Sequence, residues 1–146
     1  MFKKILVPLD GSPLAEAILP QVTELARALG AEVLLLRVAI AHVFPGVDPT
    51  DEEVRVVHEA EEYVEALAGK LADKGVRVGT AVRYGKAAGE IINHITDNKM
   101  DLVAMSTHGR SGLSRLVMGS VAEEVVRNAG VPVLLMRVSG RYPEHQ

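Results

Sequence analysis

The sequence predicts an open α/β fold: a five-stranded parallel sheet with helices on both faces, doubly wound and Rossmann-like. Three observations predict it. Short β-rich runs alternate with longer stretches of helical period from one end of the chain to the other. The first strands are almost continuously apolar, as strands covered on both faces must be. At 146 residues, 48% apolar and only 3% aromatic, the chain is sized for one domain with an aliphatic core. No internal repeat or linker interrupts it, so residues 1–138 read as one domain and residues 139–146 as a polar tail.

Residues 5–9 form the first strand. Ser12 and Pro13 follow as N-cap and first helical residue, and Ile18, Val22, Leu25 and Leu29 continue one helix that Gly30 closes. Residues 32–38 hold the second strand, and residues 39–49, with two prolines and no period, a loop. Thr50 with Glu53 makes a capping-box pattern. From there Val54, Val57, Val64, Leu67 and Leu71 mark one face of a long helix ending near Gly75. Residues 76–82 alternate more strongly and predict a third strand nearer an edge. Ala88, Ile91, Ile92 and Ile95 predict a third helix, residues 102–105 a fourth strand, residues 120–129 a fourth helix, and residues 131–138 a fifth strand.

Composition excludes several functions. There is no Cys, hence no disulfide, thiolate metal site or thiol nucleophile. Net charge is −3 with no basic stripe, which argues against nucleic acid. The longest apolar runs are too short for a signal-peptide core or a bilayer span, so no membrane role and a cytoplasmic location are expected. His42, His58, His94 and His145 lack metal-ligand spacing; His58 and His94 read as surface or satisfied polar residues.

Two loops carry the chemistry. One is Asp10-Gly11-Ser12, after the first strand; the other is Ser106-Thr107-His108-Gly109-Arg110-Ser111-Gly112, after the fourth, leading on to Gly119-Ser120. If the first and fourth strands flank the switch point of the sheet, both loops meet at one crevice, beyond the carboxyl ends of the strands. Glycines admit backbone N–H groups to an anion, hydroxyls donate, Arg adds charge, and a helix start adds partial positive charge. The same residues also serve as ordinary turns and caps: Asp10 as a cap of the first turn, Ser120 in a capping box with Glu123, and Arg115 as a solvated charge. On composition alone the two readings are balanced.

Residue order tips the balance. Residues 105–113 followed by Met118-Gly119-Ser120-Val121-Ala122-Glu123 closely resemble the signature of the universal stress protein family, as do residues 5–12 and Val131-Pro132-Val133-Leu134. That family's ATP-binding pattern is a glycine, two residues, a glycine, nine residues, then glycine and a small hydroxyl residue. Gly109, Gly119 and Ser120 match it, whereas the first glycine falls at Ser106. The resemblance implies an ATP-binding, nucleotide-dependent regulatory or stress-response module. Asp10 would hold the adenine or ribose edge, Pro8, Val38 and Met105 would wall the base, and Leu9 would be a further nucleotide contact. Gly109, Arg110, Gly119, Ser120 and Val121 would surround the phosphates with His108 close by, Ser106 would crowd the nucleotide or donate to ribose or phosphate, and Mg or Mn would accompany the phosphates. It also implies a homodimer paired through the last strand, and an unidentified protein partner is compatible with it. The alternative of another class is a nucleotide-free interaction protein of the same fold.

Catalysis with real turnover is not expected. The chain has no P-loop, no dinucleotide fingerprint after the first strand and no nucleophile elbow. At most, slow ATP hydrolysis remains.

Overall fold

The computed structural model describes residues 2–40, 45–108 and 118–137. Its strands are β1 (Lys4–Leu9), β2 (Glu32–Ala39), β3 (Val78–Tyr84), β4 (Leu102–Ser106) and β5 (Val133–Met136). Helices α1 (Pro13–Glu16), α2 (Leu19–Leu29), α3 (Pro49–Ala72), α4 (Ala87–Asp97) and α5 (Ser120–Asn128) connect them. Every pairing is parallel and the strand order is β3-β2-β1-β4-β5. The five-stranded doubly wound sheet predicted from the sequence is therefore the fold.

Connections leave β1 outward through β2 to β3, then return across the sheet to β4 and β5. With right-handed crossovers, that reversal puts α1–α3 on one face and α4 and α5 on the other. Two cores result. Ile5, Val7, Val33 and Leu35 point to one, packed under Val22, Val64, Leu67 and Leu71. Leu6, Leu36, Val103 and Met105 point to the other, under Ile91, Ile95, Ala122 and Val125. Ile5, Leu6, Val7, Val33, Leu35, Leu36 and Val103 are wholly buried, each contributing roughly 1.5–3 kcal/mol of apolar burial.

Pro8 shapes the sheet's centre. β1 pairs with β2 from Lys4 through Leu9, but with β4 only at Ile5 and Leu6. Pro8 has no N–H with which to carry a ladder onward, and past Leu6 the two strands part. A gap between β1 and β4 opens at their carboxyl ends.

Several local expectations are corrected. The first helix is two helices, because Pro20 cannot donate to the Glu16 carbonyl and its ring would crowd it. Ser12 does cap α1, accepting from the Ala15 amide, and Gly30 closes α2 in the left-handed conformation at φ 66°. Helix α3 starts at Pro49, inside the expected loop, and its cap is Asp48, not Thr50. Its Val54 faces solvent. Gly119, not Ser120, is the N-cap of α5, so no capping box forms there. The last strand is Val133–Met136, shorter than residues 131–138. Of the two readings for His94 the structure takes the polar one: it is buried, with Nδ1 on Arg83. The two edges are β3, as its alternation predicts, and β5.

Candidate functional site

The gap between β1 and β4 widens into a cavity of about 450 Å³. Clefts of roughly 300–1,000 Å³ are the size that takes small molecules and cofactors. Pro8, Leu9, Asp10, Val38, Met105, Ser106, His108, Gly119, Ser120 and Val121 all line it. The structure thus brings together every candidate residue that it describes; Gly109 and Arg110 lie outside the described residues.

The cavity has an apolar half and a polar half. Leu36 and Val38 from β2, Met105 from β4, and Ala87 and Ile91 from α4 present hydrocarbon on the α4–α5 side of the sheet. Asp10, Thr107, His108 and the start of α5 form the polar half. A flat, weakly polar ring suits the first half and an anionic tail the second.

The Asp10 loop is built by short hydrogen bonds. Gly11 takes φ 85°, a conformation that costs glycine nothing and turns the chain back on itself. Asp10 Oδ1 then accepts from the Ser12 amide at 2.9 Å and the Ser12 hydroxyl at 2.6 Å, while Ser12 Oγ accepts from the Ala15 amide at 3.1 Å. Asp10 is therefore a structural member of this turn as well as a cavity wall.

Opposite it, the end of β4 is fixed on several sides. The Ser106 hydroxyl donates to the Leu14 carbonyl at 2.8 Å. The Thr107 amide donates to the Met136 carbonyl of β5 at 3.0 Å, and the Thr107 carbonyl accepts from the Gly119 amide at 2.7 Å. Thr107 Oγ1 and His108 Nδ1 are 3.0 Å apart, and His108 is buried. The Gly119–Thr107 bond brings the two ends of the intervening segment together at the cavity. Gly119 supplies no side-chain cap, so the first amides of α5 open onto this polar half with the positive end of the helix dipole.

Ser106 does not obstruct the cavity through backbone geometry. Among the described residues Lys99 is the only non-glycine with positive φ, so Ser106 occupies no conformation reserved for glycine. Its hydroxyl proton goes to the Leu14 carbonyl.

Sequence reasoning missed part of the lining. Ala87, Ile91 and Ala122 carry no signal beyond helical period. Arg37, at the end of the apolar run of β2, also lines the cavity. Its guanidinium lies over the Tyr63 ring, 5.3 Å from the centroid, and Tyr63 donates to Glu16 at 2.5 Å. Burial, with the Glu16 carboxylate next, pushes the Tyr63 phenol well above its ordinary range. Among the described residues no group of three or more His, Cys, Asp and Glu is placed to hold a metal, and no helix is long and apolar enough to cross a membrane.

Comparison with known proteins agrees with this fold. A model described as the universal stress protein family matches residues 1–137. Universal stress protein MJ0531 of Methanocaldococcus jannaschii is 35% identical over 142 residues, which is 94% of this chain and 83% of that protein. The solved structure of hypothetical protein MJ0577 from the same organism is similar at a TM-score of 0.86 and 29% identity, covering 97% of this chain and 99% of its own. A universal stress protein family protein of Arabidopsis thaliana, solved with AMP bound, shares the fold at a TM-score of 0.64 and 16% identity, over 94% of this chain and 93% of its own. With its sheet order, its crevice and its loop signature in place, this chain belongs to the universal stress protein family.

Proposed function

We propose that the chain binds an adenine nucleotide, ATP in the first instance, in the crevice between β1 and β4 and acts as a nucleotide-dependent regulatory module of the stress response with little or no turnover. The observation that carries this is the convergence of both loops on one cavity that is apolar at one end and donor-rich at the other. The base would lie between Val38 and Met105, with Ile91 behind them. The Asp10 carboxylate would meet the ribose edge. The triphosphate would run to the amides of Gly119, Ser120 and Val121 at the α5 N-terminus, where backbone donors and helix dipole act together. Gly109 and Arg110 would close the phosphate site. A Mg or Mn ion would ride on the phosphates, since no group of protein carboxylates converges there among the described residues.

Support from relatives is at the level of the fold: the Arabidopsis thaliana protein holds AMP on this same architecture. Asp10 spends one carboxylate oxygen on the Ser12 amide and hydroxyl, and His108 is buried beside Thr107.

We further propose that two copies pair through β5. This strand lies at the sheet edge, carries no charge from Val133 to Met136, and leaves Leu134 42% exposed. Antiparallel pairing of β5 with its twin would be isologous and would close as a dimer.

The experiment is direct. Protein purified without added nucleotide is precipitated with acid and the supernatant assayed for adenine nucleotides, then the stripped protein is titrated with ATP, ADP and AMP. Recovered nucleotide, or micromolar binding on titration, supports the reading; neither for any of the three overturns it.

A further inference from the structure

Ser106 stands where the family pattern has glycine, and its surroundings give it a task of its own. It is 5% exposed, yet its hydroxyl is not orphaned: it donates to the Leu14 carbonyl at 2.8 Å, with the Ala15 carbonyl at 3.5 Å. This is a contact across 92 residues of sequence, between the end of β4 and the helix that follows the Asp10 loop.

Helix α1 needs such a contact. It has four residues, too few to be stable on hydrogen bonds of its own. Its N-terminus is held by the Asp10–Ser12–Ala15 chain of hydrogen bonds. In a helix this short the carbonyls, those of Leu14 and Ala15 among them, have no partner within the helix, and Pro20 removes the donor that would take up the Glu16 carbonyl. The Ser106 hydroxyl supplies a donor there. A glycine at this position supplies none.

We infer that Ser106 is a positioning residue: its hydroxyl latches the end of β4 to the C-terminal carbonyls of α1 and so sets the distance between the two walls of the crevice. This rests on the nucleotide reading for its functional consequence. The latch acts at a distance from the ligand: fixing α1 fixes Ser12, and Ser12 orients the Asp10 carboxylate. The side of the crevice built by β4 and α5 is thereby held in register with the side built by β1, across the gap that opens beyond Leu6. No backbone ladder does this, because β1–β4 pairing has ended.

The test has two arms. In the first, stripped wild type, Ser106→Ala, Ser106→Gly, Asp10→Asn and the Ser106→Ala/Asp10→Asn double variant are titrated with ATP by calorimetry at a temperature where circular dichroism shows each fully folded. Ser106→Ala and Ser106→Gly should weaken binding about three- to tenfold, as loss of one neutral hydrogen bond of ordinary strength would. Ser106→Thr, which keeps the hydroxyl, should recover most of it. In the double variant the Ser106 change should have little further effect, because it acts through Asp10. Equal affinity of Ser106→Ala and wild type, or fully additive losses, would overturn the latch while leaving the nucleotide site standing. Absence of ATP binding by wild type would instead remove the nucleotide reading. The second arm is independent of ligand: in the nucleotide-free protein Ser106→Ala should speed amide hydrogen exchange at Ser12 and Ala15 severalfold while leaving Val125, in α5, unchanged. Unchanged exchange at Ser12 and Ala15 would refute the latch whatever the ligand does.

Discussion

Arg83 Nη1 lies 3.1 Å from His94 Nδ1. A guanidinium only donates, so Nδ1 must accept, and the proton of the neutral ring sits on Nε2. That atom is buried with no hydrogen-bond partner among the described residues. The same arginine also pairs with Glu90 and Asp97 at 2.9 Å each, tying β3 to α4. Protonating His94 would put a second proton against the guanidinium.

The pH dependence of stability follows. Burial, and then the Arg83 charge, hold the His94 imidazolium below its ordinary pKa of 6.5, with Asp97 opposing weakly. Between the folded and unfolded values the unfolded chain binds more protons, so stability is present above about 6.5 and declines as pH falls below it. Urea unfolding from pH 7.5 to 5 should show this decline in wild type. His94→Gln, which still offers an acceptor to Arg83, should show a smaller one; identical slopes would contradict the assignment.

Filling the apolar half should abolish binding without unfolding the protein. Val38 lines the cavity at the end of β2, and Val38→Trp places a ring where the base would lie. ATP affinity should fall at least a hundredfold by calorimetry, with circular dichroism unchanged. Retained affinity would move the base elsewhere.

Arg110 belongs to the phosphate loop by residue order. Arg110→Ala removes a charge-assisted hydrogen bond worth about 1.5–3 kcal/mol, so ATP binding should weaken about tenfold to a hundredfold. Adenosine, which has no phosphate, should bind both proteins alike. Equal ATP affinity would take Arg110 out of the site.

The β5 edge should govern self-association. Leu134→Arg puts a charge on the exposed side of that strand, and light scattering should report a monomer where wild type gives a dimer. A monomeric wild type at micromolar concentration, or a variant still dimeric, would count against pairing through β5.

How far the sequence anticipates the structure depends on the range of the interaction involved. Sheet type follows from local patterns, because apolar runs alternate with helical periods along the chain, whereas the strand order is set by the pairings themselves. The candidate residues converge because strand ends on either side of a switch point must meet. What escapes is set by single atoms. Pro20 carries no N–H and splits a helix whose apolar period runs straight through it. Asp48 takes the cap of α3 from Thr50 because Pro49 is pre-set for the first helical position. The Ser106–Leu14 bond and the Tyr63–Glu16 bond join residues 92 and 47 positions apart, and no spacing rule reaches that far.

The central claim is that two separate loops grip one adenylate, and an amide chemical-shift map of the stripped, isotopically labelled protein during ATP titration tests it most directly. The account predicts saturable shifts at Gly11 and Ser12 on one wall, and at Met105, Thr107, Ser120 and Val121 on the other, with little change along β3. Shifts confined to one wall, clustered outside the crevice, or absent at millimolar ATP would contradict it.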